Sequence, residues 1–277
     1  VRQKIGSVLG GTKGEAGVDH PKPMKERWLK AELHAHCNLD PADHTLCAYS
    51  AENLIAEAAR LGYEILAITC HNADVWSPEL SDYASRLGVT LIPGMEVTVG
   101  RGWHTLAYNF RTGAENINTF EKLRALSRPD TLVIAPHPHF PSPRCLGREV
   151  EKHLGVFDAV EISGFYARGL DFNRRARAVA SARKKPLVGN ADVHFLWQLG
   201  RTYTWIYSQP GVAPVLNAVK QGRVRVESTP LSYADVVRWW TTAIWRRISS
   251  LRNVPAGQDP RLIPDSAAER SPTQIAG

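Results

Sequence analysis

The residues that could do chemistry in this chain are its histidines. Ten are present, and eight fall in short clusters or at matching positions: His34-Ala-His36, His44, His71, His104, His137-Pro-His139 and His194. Two carboxylates stand in similar contexts, Glu96 in Gly-Met-Glu-Val-Thr and Asp192 in Gly-Asn-Ala-Asp-Val-His. Most of these residues follow an apolar run of strand character. His34 and His36 are two apart at the end of such a run, and period-two geometry sends both rings to one face, where they can grip one ion. Any one of these histidines alone is more often a hydrogen-bonded core residue than a ligand. Imidazole-rich sites suit Zn, Mn or Fe rather than Mg or Ca.

The elements that must position these residues alternate along the chain. Strands are predicted at Trp28–Leu33, Ile65–Thr69, Val89–Pro93, Trp103–Phe110, Thr131–Ala135, Phe157–Ile162, Pro186–Gly189 and Tyr203–Tyr207. Between them, Ser50 reads as the N-cap of a helix with Leu54, Ile55, Ala58 and Leu61 on one face, ended by Gly62. Further helices are predicted near 77–87, 115–127, 170–184, 212–221 and 233–250. Alternating strands and helices argue for a parallel sheet. A closed barrel explains best why ligands come from so many successive strands, because barrel chemistry collects at the C-terminal strand ends. The expected organisation is an extended N-terminal arm over 1–26, a barrel domain over 27–230, a Trp/Arg-rich helix over 231–252 and a flexible tail over 253–277.

In this order the segments resemble the PHP (polymerase and histidinol phosphatase) family of metal-dependent phosphoesterases. The matching stretches are Glu32-Leu-His34-Ala-His36, Ala67-Ile-Thr-Cys-His71-Asn72, Gly94-Met-Glu96, His104-Thr-Leu-Ala-Tyr108, Ala135-Pro-His137-Pro and Gly189-Asn-Ala-Asp192-Val-His194. They run in the family's order across residues 29–207. Each is weak alone; six in register are specific. The resemblance implies an α/β fold, a distorted (β/α)7 TIM-like barrel, holding two or three divalent transition metal ions. It implies that His34, His36, Glu96 and Asp192 surround the first metal. Glu96 would bridge to a second held by His104 and His137, and His71 and His194 would hold a third with help from the loop after His36. That loop departs from the family's commoner Ser-Asp-Gly pattern: here it reads Asp40-Pro-Ala-Asp43-His44. Asp43 is the first choice as the extra ligand and Asp40 the second, with His44 as a third option. Cys37 and Cys70, beside these ligands, read as small buried residues.

The implied reaction is hydrolysis of a phosphate mono- or diester by a metal-activated hydroxide, with Glu96, Asp192 and His194 as the catalytic candidates. Arginine suits bidentate phosphate recognition, so Arg144 and Arg168 are the substrate-binding candidates, with His139 beside them. Glu161, at a strand end, is expected behind the ligands, and Asn72 and Asn190 are expected to orient them. Two other functional classes compete: a non-catalytic metal-binding module, and an amidohydrolase-type C–N hydrolase. The near-complete ligand set argues against the first. The absence of a strand-end lysine argues against the second.

Composition sets the outer bounds. The 277 residues suit one large domain, and 43% hydrophobic with 22% charged residues is ordinary for a globular chain. A net charge of +7 favours anionic partners, a phosphate ester first and a nucleotide or oligonucleotide among them. Four cysteines without a Cys-x-x-Cys pair suggest a reducing compartment. A cytoplasmic location is therefore expected, with a removed leader still open because the chain starts at Val1. The run Val236 to Ile248 holds Trp239, Trp240 and Trp245 with Arg238, Arg246 and Arg247. It reads as a helix packed on the barrel or at a dimer contact, or as a helix lying on a membrane surface.

Overall fold

A computed structural model describes residues 25–110 and 116–252. The tail expected over 253–277 and nearly all of the arm expected over 1–26 lie outside the described residues.

Nine strands form one sheet: β1 (Arg27–Glu32), β2 (Ile65–Ile68), β3 (Thr90–Val99), β4 (Trp103–Tyr108), β5 (Leu132–Ala135), β6 (Ala159–Ser163), β7 (Leu187–Asn190), β8 (Thr202–Ser208) and β9 (Val224–Ser228). Their order is β7-β6-β5-β4-β3-β2-β1-β8-β9. The helices are α1 (Ala51–Arg60), α2 (Pro78–Arg86), α3 (Phe120–Leu126), the single turn α4 (Glu149–Lys152), α5 (Asn173–Ala182), α6 (Val212–Lys220) and α7 (Tyr233–Arg252). Ser50 caps α1 as expected, its side chain accepting from the Asn53 amide.

The sheet curls until β7 meets β8 and β9. Thr204 of β8 makes that seam, its hydroxyl accepting from the Gly189 amide at 2.8 Å and donating to the Gly189 carbonyl at 2.9 Å. A side chain at Gly189 has no room here: a Cβ would lie 2.5 Å from Val226 Cγ1 and 3.1 Å from Thr202 Cγ2. Gly189→Ala is therefore expected to cost about 1–3 kcal/mol through overpacking. A denaturant midpoint equal to the parent's would show that the seam is loose.

The nearly closed, TIM-like barrel is as expected, but its sheet is mixed rather than parallel. The pairs β1–β2, β2–β3, β5–β6 and β6–β7 are parallel, whereas β3–β4, β4–β5, β1–β8 and β8–β9 are antiparallel. For β4, and so for the pairs β3–β4 and β4–β5, the reason is local. Gly100-Arg-Gly102 joins β3 to β4 through two left-handed glycines, φ +59° and +105°, and a turn this short allows only antiparallel pairing. Strand β9 is an additional strand; its valines alternate with Arg225 and Glu227 at the sheet edge.

Leu29, Ala31, Leu33, Ile65, Ala67, Ile92, Leu106, Tyr108 and Ile134 fill the barrel interior with Val215, Leu216 and Val219 of α6. Helix α6 touches β3, β5 and β8, so it spans the barrel rather than one strand. The polar residues that follow β1, β2, β5 and β7 project beyond this apolar plug.

Candidate metal centre

The chain leaves each strand with its polar residues on the same rim. After β1, Leu33, Ala35 and Cys37 point into buried apolar clusters while His34 and His36 point together, their ring centroids 5.2 Å apart. His71 follows β2, Glu96 lies within β3, His104 within β4, His137 follows β5 and Asp192 follows β7. His137 and Asp192 have left-handed backbones, φ +27° and +52°. Such conformations cost about 1 kcal/mol or more in a non-glycine residue and persist where surrounding structure imposes them. Here they turn two side chains back toward the rim.

Glu96 is the centre of the arrangement. Its Oε2 lies 3.2 Å from His34 Nε2, 3.4 Å from His36 Nε2 and 3.1 Å from His71 Nε2. Its Oε1 lies 2.7 Å from His104 Nδ1 and 3.4 Å from His137 Nε2. One carboxylate thus faces two sets of imidazoles, one with each oxygen. Asp192 Oδ1 faces the first set, 3.4 Å from His34 Nε2 and 3.2 Å from His36 Nε2, and lies 3.5 Å from His194 Nδ1. Asp43 Oδ2 lies 3.3 Å from His194 Nε2 and 3.7 Å from His71 Nδ1.

A further layer holds the rings in place. Glu161 Oε2 meets His34 Nδ1 at 3.0 Å and accepts from Asn190 Nδ2 at 2.9 Å, and its Oε1 accepts from the His137 amide at 3.1 Å. His137 Nδ1 lies 3.1 Å from Cys145 Sγ. Gln198 accepts from the His194 and Phe195 amides and donates to the Asp192 carbonyl, which fixes the loop carrying both site residues.

Asp40 belongs to this layer. It is fully buried, and its Oδ2 lies 2.7 Å from His36 Nδ1 and 2.9 Å from His71 Nδ1 while accepting from the His71 amide. Its other oxygen accepts from the Ala42 and Asp43 amides. Asp40 thus aims the opposite nitrogens of two rings at Glu96, while Asp43 lies in the cleft and His44 is exposed. Asp40→Asn is expected to weaken metal binding about 10- to 100-fold without unfolding the barrel, the usual cost of removing a ring-orienting carboxylate. Metal titration followed calorimetrically checks this, and unchanged affinity would remove Asp40 from that role.

The charges are mutually set. Burial pushes the Glu96 carboxyl up, but His104, His34 and His71 outweigh it and hold the group well below the usual carboxylate range. Asp192 is likewise depressed, burial being outweighed by His34 and His194. Burial opposes charge on His34, yet Asp192, Glu161 and Glu96 raise it well above the ordinary histidine value. His71, beside Glu96 and Asp40, overcomes its burial and is pushed up to about 10. His104 moves down, by burial together with its neighbours His71 and His137.

These residues fit metal ions. The groups His34–His36–Glu96, His71–Glu96–His104, His36–Asp192–His194 and His34–His137–Asp192 each bring their ligand atoms within 4.8 Å of one another. His36 Nε2, Glu96 Oε1 and Asp192 Oδ1 are buried without a hydrogen bond of proper geometry, although charged atoms stand near each. Unpaired buried polar atoms of this kind are costly unless something else satisfies them.

The cleft above them, about 800 Å³ with its open mouth, is lined by Asp43, His71, Glu96, His104, His137, Asp192 and His194. Arg144 also lines it, with Nη1 3.5 Å from His104 Nε2. The structure does not bring Arg168 or His139 there. Arg168 is exposed, and its backbone carbonyl accepts from Tyr233. His139 is half-buried and does not line the cleft; its Nε2 is buried without a hydrogen-bond partner, and its charge is disfavoured by burial and then by Arg175. The residues 136–140 form a turn rather than a strand, so His137 and His139 do not share a face. Asn72 binds the backbone and hydroxyl of Thr98 rather than a candidate ligand, and Asn190 donates not to a candidate ligand but to Glu161 behind them.

Sequence reasoning missed the opposite wall. Phe140, Phe165, Trp239, Trp240 and Arg247 complete the cleft. Trp239 packs edge-on to Phe165 at 5.1 Å and to Trp240 at 5.0 Å. Arg247 Nη2 lies 3.7 Å from Asp43 Oδ1. The Trp and Arg content of α7 was a visible signal; its place over the site was not.

Comparison with known proteins agrees with the motif reading. A PHP-associated family model matches residues 171–224, the stretch carrying α5, β7, Asp192, His194, β8 and α6. Over 80 residues the chain is 32% identical to the PolC-type DNA polymerase III of Lactococcus lactis subsp. lactis (strain IL1403), a match covering 29% of this chain and 5% of that protein. In three dimensions it is similar to a two-domain protein of Bacteroides vulgatus containing a predicted PHP-like metal-dependent phosphoesterase. That similarity has TM-score 0.59, 18% identity, and covers 83% of this chain and 74% of the other. It is also similar to PsfC of Pseudomonas syringae, with TM-score 0.53, 17% identity, and coverage of 82% of this chain and 100% of the other. The resemblance to the PHP family and the barrel fold that it implied are borne out.

Proposed function

We propose that this PHP-type barrel is a metal-dependent phosphoesterase that hydrolyses a phosphate mono- or diester at a two- or three-metal site. The observation that carries this reading is Glu96, whose two oxygens face separate sets of imidazoles at the floor of an open cleft. His34, His36, Glu96 and Asp192 would hold one ion, and Glu96, His104 and His137 a second. His71, His194 and Asp43 would hold a third. When bound, such ions supply Lewis acidity toward the phosphoryl oxygens and acidify the attacking water; zinc, manganese and iron suit these donors.

The chain's own groups do the rest. Glu161 and Asp40 fix the rings, so the site is ordered before substrate arrives. Arg144 stands beside His104 with a guanidinium able to take a phosphate oxygen. His194 reaches the cleft from Asp43 and Asp192. In the metal-free chain Asp192 and Asp43 hold its proton above the ordinary histidine value against the effect of burial, so an ion bound there would displace that proton. Phe140, Phe165, Trp239 and Trp240 give the cleft an apolar side.

The test is turnover of generic phosphate mono- and diesters by protein reconstituted with manganese or zinc, run beside Arg144→Ala. The reading expects turnover that a chelator stops. In Arg144→Ala, KM rises by about tenfold or more, since a charged hydrogen bond contributes roughly 1.5–3 kcal/mol. An unchanged KM would take Arg144 out of the binding role.

A further inference from the structure

Helix α7 has one face on the barrel and one face in solvent. On the packed side, Ala243 is buried, Trp239 meets Phe165, and Arg246 donates to the Leu46 carbonyl. On the other, Tyr233, Val237, Trp240, Ile244 and Ile248 follow one another at four-, three-, four- and four-residue steps, which places them on one stripe. Trp245 stands beside that stripe. Of the ten large hydrophobic side chains exposed among the described residues, six are on this helix, Trp245 at 66% and Ile244 at 55%. Scattered apolar residues are normal on a surface, but a continuous row marks an interaction face.

Charge identifies the partner. Arg247 borders the stripe on the Trp240 edge; Nη2 lies 3.7 Å from Asp43 Oδ1, and the side chain is still 68% exposed. Arg238 borders it on the Trp245 edge, exposed, with its guanidinium 5.0 Å from the Trp197 ring. Asp235, the one acidic residue of the helix, is already paired with Arg201 at 2.9 Å. The face is thus apolar along its centre and positive along both edges. A second copy packed symmetrically on it would bring these arginines toward each other. The chain outside the described termini, residues 1–24 and 253–277, contains no Phe, Tyr or Trp and no run of large apolar residues. A surface that is apolar beneath and anionic above matches both features. We infer that α7 is an interfacial helix that docks this protein on an anionic lipid bilayer. Its 20 residues lie along the surface; no helix among the described residues is long and apolar enough to cross a membrane. Trp240 and Arg247 belong both to this face and to the cleft, so the mouth of the site opens beside the lipid plane.

The test is co-sedimentation of the full chain with phosphatidylcholine vesicles, with or without about one-third phosphatidylglycerol. It needs no enzyme activity, so its failure and that of the phosphoesterase reading are separable. The variant carries Ile244→Glu and Trp245→Glu together. Both residues are exposed and neither lines the cleft, and a thermal melt confirms that the variant is folded. The expected result is partitioning onto anionic vesicles about tenfold above the neutral ones. It is lost in the variant and weakened near 1 M salt, where the Debye length falls to about 3 Å. Equal partitioning of parent and variant overturns the inference. So does a parent that sediments in solution as a dimer which the variant splits, because the stripe then belongs to a second copy.

Discussion

Glu96→Ala is expected to cost at least about a thousandfold in turnover, some 4 kcal/mol of transition-state stabilisation, and to lower bound metal by at least one ion. The reason is that Glu96 faces both halves of the site, one with each oxygen. Its Oε2 faces His34, His36 and His71, and its Oε1 faces His104 and His137. Truncation would remove the ligand that the proposal shares between two ions, and it removes the anion that several imidazoles surround. Glu96→Gln separates the two effects, since it keeps the shape and removes the charge. If charge is what matters, Gln behaves like Ala. The barrel should survive both changes, because its apolar interior lies on the other side of the rim. Metal content by mass spectrometry and turnover on the same sample decide the matter. Full occupancy with turnover within tenfold of the parent would contradict the bridging role.

Metal removal is the second large effect. Ligands bound only by the folded state stabilise it by about 4 kcal/mol at a thousand times Kd. At roughly 2 °C per kcal/mol for a chain of this size, chelation should lower Tm by about 8 °C or more. The effect also depends on pH, with a definite sign. In the metal-free chain His71 is pushed up to about 10, and His34, His137 and His194 are also raised. Groups raised in the folded state contribute stability that is fully present below the unfolded value near 6.5. That contribution is lost as pH rises toward the folded value. Metal must displace the same protons, so its affinity rises over the same interval. The gap in Tm between loaded and metal-free protein should therefore widen from about pH 6.5 to pH 10. Calorimetric melts at three pH values measure it; a gap that narrows would mean these rings do not bind the ions.

The parts of this site that were legible in sequence are those whose geometry is local. His34 and His36 share a face because strand alternation continues past Glu32 through Leu33, Ala35 and Cys37. Glu96 and Asp192 stand out because a carboxylate beside a buried strand needs a partner. Where the backbone leaves the strand, alternation stops predicting direction. That is why His137 and His139 diverge, the first turned to the cleft by a left-handed backbone and the second absent from its lining. The loop after His36 is similar. Two aspartates three apart compete there, and the turn that Asp40 builds with the Ala42 and Asp43 amides buries one and exposes the other to the cleft. The aromatic wall lay beyond sequence reasoning because it joins Phe165 to Trp239 across the fold. The reversed direction of β4 was missed for a simpler reason: the short Gly100-Arg-Gly102 turn between two readable strands demanded antiparallel pairing.

The most direct test of the central claim is metal content and phosphate release measured on one preparation of the parent and of Asp192→Ala. The parent is predicted to hold two or three transition-metal ions and to release phosphate or an alcohol from a mono- or diester. Asp192→Ala, folded by circular dichroism, is predicted to lose metal and turnover together. A fully loaded parent that turns over no phosphate ester, or an Asp192→Ala protein with undiminished turnover, would contradict the account.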